Sequence, residues 1–379
     1  MKNIYSILFL LAALIGFSSC ENDRDSNPTL NVPDSFVLNT PAYVSGVYDL
    51  ENTQSVLLTC TQPDYGFTAA TTYKVQVSLS EEFATSYTLP TTYNTAKMYV
   101  LGNEFAIGVC TLMVDAKGYD EKNFPTTIIP IYVRLVANLG SVNAVVNSNV
   151  IELPQVKPYF ALPPMVQPET MYISGSTIFG AGDWSKSYAM VPVNGNAGKF
   201  WALQYFGTKD GGSVDIKFNS VKDNVEGTPF GADAQIDEAS KALAGITTDG
   251  KLMVTKPGWY IVVVTTEIVG RNYVFHLEFL APNVYLFGPT TPGAVWEAKE
   301  ENLFTVPTGL GEFISPAFTN AGELRMCVQL PSIDWWRSEF IVLSDKLAYR
   351  GNGGDQKRVN VVAGQKVYID FTTGEGSVK

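Results

Sequence analysis

Histidine is all but missing: of 379 residues only His276 is one. A site needing several imidazoles, whether a zinc centre or a repeated histidine-based catalytic arrangement, therefore cannot be built. Cysteine is scarce too, at four residues, and none stands in the C-x-x-C spacing of a cysteine metal cluster. No metal and no cofactor is implied. Basic residues are outnumbered, 26 Lys and Arg against 37 Asp and Glu, and form no long run. A net charge of −11 repels a polyanion and argues against nucleic acid as a partner. Charged residues make up only 17% and hydrophobic ones 46%. That balance describes globular domains with sizeable cores, in a chain with room for two to four of them. What is present in quantity is aromatic: 19 Tyr, 21 Phe and 6 Trp. A neutral ligand suits such a chain best.

Two stretches resemble each other. Tyr172-Ile173-Ser174-Gly175 leads to Gly182-Asp183-Trp184, and Tyr285-Leu286-Phe287-Gly288 leads to Ala294-Val295-Trp296. The offset is roughly 110 residues, the size of a small β-sandwich and too long for a solenoid repeat. A duplicated domain that keeps an aromatic in a Gly-rich loop implies a duplicated binding surface. Both copies carry a central strand, Val214–Asn219 and Leu324–Gln329, and close on a paired-strand pattern. In the first copy the pair is Leu252–Val254 with Trp259–Val264; in the second it is Val359–Val362 with Lys366–Phe371. Turns at Lys256-Pro257-Gly258 and Ala363-Gly364-Gln365 occupy matching places.

The N-terminus reads as an address. Lys2 precedes an apolar run from Ile4 to Ile15, then Gly16-Phe17-Ser18-Ser19-Cys20, too short for a membrane span and right for a signal peptide. Small residues before Cys20 resemble the lipobox of bacterial lipoproteins, in which cleavage leaves the cysteine to carry lipid. Residues 1–19 are then the signal peptide and 20–34 a flexible acidic tether. Residues 35–153 are strand-like throughout, with Val56–Cys60, Thr72–Ser78 and Ile131–Val136 alternating and Pro63-Asp64-Tyr65-Gly66 as a turn. Short strands at this density indicate an immunoglobulin-like sandwich with no exposed aromatic cluster, a spacer in function. Cys60 sits on the apolar face of its strand and reads as a buried thiol; a Cys60–Cys110 bridge is the alternative. Pro154, Pro158, Pro163, Pro164 and Pro168 mark a semi-rigid linker over 154–168. The copies follow at 169–281 and 282–379, with one short helix near Ala234–Leu243. The whole is an all-β chain: an immunoglobulin-like sandwich, then two tandem β-sandwich domains.

The lipobox, the segment LTCTQPDYGFTAATTYKVQVSLS and the tandem Trp-bearing domains resemble the SusE/SusF family of surface glycan-binding lipoproteins. Two copies instead of three are the SusE-like arrangement, and Cys60 stands where that family would lead one to expect a core Trp. The resemblance implies non-catalytic binding of starch, amylopectin or malto-oligosaccharides. It also implies an outer-membrane position through the N-terminal lipid, facing the exterior, beside other glycan-uptake proteins. Each site would join an aromatic platform, which buries the apolar face of a sugar ring, to a basic donor for its hydroxyls.

In the second copy the residues that answer this description are Trp296, Trp336, Arg350 and Arg325. Trp335 and Trp336 are neighbours on what reads as extended chain, so one faces inward; Trp336 is taken as the platform and Trp335 as core. Arg350 adjoins Gly351-Asn352-Gly353-Gly354, and Arg325 shares the polar strand face with Cys327 and Gln329. In the first copy Trp184 matches Trp296, Lys217 is the donor, and Phe230 (or Tyr188) stands in for the second ring. Trp201 and Trp259 read as core. Three readings compete with starch capture: a different polysaccharide, a scaffold subunit of an outer-membrane complex, and a two-carboxylate glycosidase using residues such as Asp183 and Asp334.

Overall fold

The structure is a computed structural model that describes residues 29–140, 144–178, 186–207, 212–223 and 233–379. The signal segment, Cys20, Trp184, Asp183 and Phe230 lie outside the described residues. The chain divides into two compact units, Met1–Pro164 and Met165–Lys379.

The first unit is a two-sheet sandwich. One sheet orders Leu38–Asn39, Ser55–Cys60 and Lys97–Leu101; the other runs Tyr48–Asp49, Ile151–Lys157, Ile129–Leu139, Thr71–Ser78 and Tyr87–Tyr93, with Ala144–Asn147 alongside. Alternation places Val56, Leu58 and Cys60 inward, facing Tyr73, Val75, Val77, Ile131, Val133 and Leu135 in one core. The strand-like expectation fails at one place: Gly102–Lys117 is a 16-residue α-helix, α1. Phe105, Ile107 and Val109 alternate as in a strand, but Phe105, Ala106, Val109, Cys110, Leu112 and Met113 share a buried helical stripe, and the longer period prevails. The linker also starts later than 154. Pro154 lies inside Ile151–Lys157, where the register against Ile129–Leu139 slips between Ile129 and Ile131. A bulge there tolerates a residue with no N–H to donate. Among the described residues Cys60, Cys110 and Cys327 are buried thiols, not bridged partners; burial pushes the Cys60 thiol up to about 11, which makes it inert.

The second unit holds both copies. The first copy packs the sheet Tyr188–Ala189, Tyr172–Gly175, Val214–Asn219, Leu252–Val254 and Ile246–Thr247 against the sheet Val191–Pro192, Lys199–Phe206, Gly258–Val269, Asn272–Leu280 and Gln235–Ile236. A short helix, α2 (Glu238–Ala244), starts at Asp237, whose carboxylate accepts the Ser240 N–H at 2.6 Å. The second copy is a seven-stranded sheet from Val284–Phe287 to Phe313–Ile314, plus the pair Gly322–Glu323 and Asn360–Val361. The expected closing hairpins are absent from both copies. Leu252–Val254 and Gly258–Val269 belong to different sheets, as do Asn360–Val361 and Val367–Asp370. Their matching turns are crossovers between layers.

The copies share one core. Trp201 lies 6.1 Å from the Phe340 ring and 5.6 Å from Tyr349, while Trp259 meets Phe313 edge-on at 5.1 Å. The Trp259 indole N–H donates to the Gly309 carbonyl at 2.7 Å. Trp201, Leu203, Tyr205, Trp259, Ile261 and Val263 form one sheet face that looks at the other copy, not at water. The unbroken apolar run Trp259–Val264 is what a strand buried on both faces requires.

Candidate functional site

Among the described residues Trp296 is the one tryptophan that is exposed, at 49%; Trp201 and Trp259 are buried, Trp335 and Trp336 half-buried. Its loop is built to hold it still. Thr291, 1% exposed, donates from Oγ1 to the Gly288 carbonyl at 2.8 Å and accepts the Val295 N–H at 2.9 Å. The Gly288 N–H donates to the Val295 carbonyl at 2.7 Å, and Asn320 donates to the Thr291 carbonyl at 3.1 Å. Gly288 has φ +73°, and a Cβ there would come within 2.7 Å of the Trp296 ring. Only glycine allows both that conformation and that approach.

The partner of Trp296 is Trp335. Their ring centroids are 5.1 Å apart at an interplanar angle of 40°, and Trp335 in turn stacks on buried Phe287 at 5.4 Å and 23°. An aromatic column thus runs from the core to the surface. The ring in contact with Trp296 is thus Trp335, where the sequence pointed to Trp336. The pair lies in a 3-10 helix, Trp335–Ser338, where successive side chains diverge by about 120° and not by the half-turn of a strand. Trp335 therefore packs inward and still reaches Trp296. Trp336 lies instead among cations, with the guanidinium carbons of Arg337 and Arg350 at 4.5 and 4.7 Å from its ring centroid.

Behind the rings is an ion network on one face of the sheet. Phe287 pairs with Arg325, and Cys327 with Glu339. Glu339 is completely buried and takes Arg325 Nη1 at 2.6 Å and Arg350 Nη1 at 3.1 Å. Asp355 accepts from Arg325 Nη1 at 2.9 Å, and Glu323 from Arg325 Nη2 at 2.7 Å. Burial alone would lower the Arg325 pKa, but hydrogen bonds to Asp355 and Glu339, with the charges of Glu339 and Glu323, together raise it; the bond from Arg325 holds the Asp355 carboxyl below its ordinary range. Burial, with the Glu339 charge second, drives the Cys327 thiol far up. Arg325, expected as a donor on a polar strand face, is 7% exposed and has both terminal nitrogens engaged by carboxylates. Arg350 is different: Nη1 is held by Glu339 and Asp355, while Nη2 has no protein partner among the described residues.

In the first copy Lys217 pairs with Ser174 as Arg325 pairs with Phe287, so the two bases hold the same register place. Lys217 is exposed where Arg325 is enclosed. Tyr188 is half-buried against the core. Asp334, weighed as a glycosidase carboxylate, is exposed and lies 3.7 Å from Arg337 Nε.

Sequence reasoning missed Glu339, Asp355 and the contact role of Trp335.

A half-exposed tryptophan stacked on a buried aromatic column of a β-sheet is an arrangement that suits the apolar face of a sugar ring. The model of the family described as SusF/SusE starch specific CBMs matches residues 170–275 and again 283–377, more than half of the chain. The chain belongs to that family. The family model described as SusE outer membrane protein matches residues 23–118. Outer membrane protein SusF of Bacteroides thetaiotaomicron is 39% identical over 253 residues, covering 64% of this chain and 50% of that protein. The chain thus spans about half the length of the curated relative it matches. The crystal structure of SusF from the same organism aligns with a TM-score of 0.46 at 22% identity, covering 91% of this chain and 99% of that one.

Proposed function

We propose that this protein is a non-catalytic glycan-binding lipoprotein that captures starch, amylopectin or malto-oligosaccharides for an outer-membrane uptake system. The observation that carries this is Trp296, half exposed, fixed on Gly288 and tilted against Trp335, while Arg350, over the neighbouring Trp336, keeps Nη2 without a protein partner among the described residues. A sugar ring laid on such a shelf gains about 1–3 kcal/mol from its apolar face. Its hydroxyls then need donors, which Arg350 supplies. The second site is the first copy's, with Trp184, Lys217 and Phe230. Each needs only millimolar to micromolar affinity, about −4 to −8 kcal/mol, because one polysaccharide engaging both gains by effective concentration. Lipid on Cys20 would hold the chain to the outer membrane, facing outward beside other uptake proteins. Family membership and the relative named as an outer membrane protein support this reading.

The test is retardation of the full mature chain in an amylopectin gel. Trp296→Ala with Trp335→Ala should weaken retardation, and adding Trp184→Ala should abolish it, with no reducing ends released from starch by any form. Mobility of the triple variant equal to the parent's would overturn the proposal.

A further inference from the structure

A turn of the first copy reaches into the second copy's site. Asn194 Nδ2 donates to the carbonyls of Gly351 at 2.6 Å and Gly353 at 2.9 Å, in the loop that follows Arg350. Its backbone serves the other side: the Asn194 carbonyl accepts from Arg337 Nη1 at 2.7 Å, and the Asn194 N–H donates to the Arg337 carbonyl at 3.0 Å. Arg337 and Arg350 are the two guanidiniums over Trp336. One residue of the first copy therefore holds both arms that flank a ring of the second.

Asparagine suits this place for a chemical reason. A primary amide offers two N–H groups in one plane, enough for two carbonyls; a carboxylate of the same shape would face both with lone pairs. The next residue, Gly195, has φ +66°, and a Cβ there would sit 2.6 Å from Arg337 Nη1. Exposed Asn352, Gly353 and Gly354 would otherwise leave the Arg350 loop with much backbone freedom to lose on binding.

We infer that Asn194 is a positioning residue for the second-copy site, which is assembled across the boundary between the copies. It fixes the loop that carries Arg350 and the guanidinium of Arg337, and so sets the geometry around Trp336 before a ligand arrives. The inference rests on the glycan-binding reading of that site.

The test uses the full mature chain with Trp184→Ala in every form, so that the second copy alone reports, and titrates maltoheptaose by calorimetry. Asn194→Asp should weaken binding by about tenfold, the loss of one or two net hydrogen bonds. Gly195→Ala, which removes no hydrogen bond but presses on Arg337, should weaken it in the same direction and stands in if the first variant fails to fold. The control is Trp259→Phe, which loses the hydrogen bond to Gly309 across the same boundary but away from the site; its affinity should stay at the parent's. Parent-like affinity in Asn194→Asp and Gly195→Ala would overturn the positioning role. Equal weakening in Trp259→Phe would overturn it too, by reducing Asn194 to a general clasp. Undiminished binding in Trp296→Ala would instead sink the glycan reading itself.

Discussion

Glu339 has the most exacting position in the second copy: a carboxylate with no exposure, between Arg325 and Arg350. Such a pair is worth little against a well-packed apolar replacement, but removing one charge leaves the others buried and uncompensated. Glu339→Gln should therefore lower stability by about 3–5 kcal/mol in urea denaturation at neutral pH. A change under 1 kcal/mol would mean that the arginines find other partners. Nothing local in the sequence marks Glu339, because its partners are Arg325 on another strand and Arg350 just past the end of a third. Arg325 was legible as a face-mate of Cys327, yet its enclosure by Glu323, Glu339 and Asp355 was not. Periodicity tells which side of a strand a residue takes; what covers that side comes from elsewhere in the chain.

Short elements, more than long ones, decide the site. The Gly288–Trp296 loop is closed on itself by Thr291 and the Val295 carbonyl, so the indole is presented without an ordering cost at binding. Gly288→Ala would force a positive φ on a residue with a Cβ, about 1–2 kcal/mol, and drive that Cβ into the Trp296 ring. It should weaken maltoheptaose binding at this site at least tenfold while the melting temperature falls by only a few degrees; unaltered affinity would show that the loop's shape is immaterial. The repeated Tyr-x-x-Gly motif made this loop readable, since it recurs beside a tryptophan in both copies. The Trp335–Ser338 turn was not readable: alternation is the right rule for a strand and the wrong one for a 3-10 turn, and four residues carry too little pattern to tell them apart. The helix α1 shows the reverse case, a period present over 16 residues but masked by β-branched residues.

At the scale of the whole second unit, the two copies are not beads on a string. Trp201 and Trp259 of one pack on Phe313, Phe340 and Tyr349 of the other, so residues 282–379 in isolation would expose aromatic surface that the intact unit buries. Residues 165–379 should unfold in a single calorimetric transition. Trp259→Ala should cost about 3–5 kcal/mol there, the usual loss for deleting a buried large aromatic. Two resolved transitions in the parent would contradict a shared core.

By itself the sequence determined the all-β class, the duplication, the exposed Trp296 and the face that Arg325 and Lys217 take. Each is written in periodicity, repeat spacing or composition, which are local and survive without knowledge of partners. Only the tertiary structure decided that Trp335 and not Trp336 meets Trp296, that three carboxylates enclose Arg325, and that Asn194 of one copy bonds to the loop after Arg350 in the other. Those outcomes rest on contacts between residues far apart in the chain, and on turns whose side-chain directions no repeating pattern encodes.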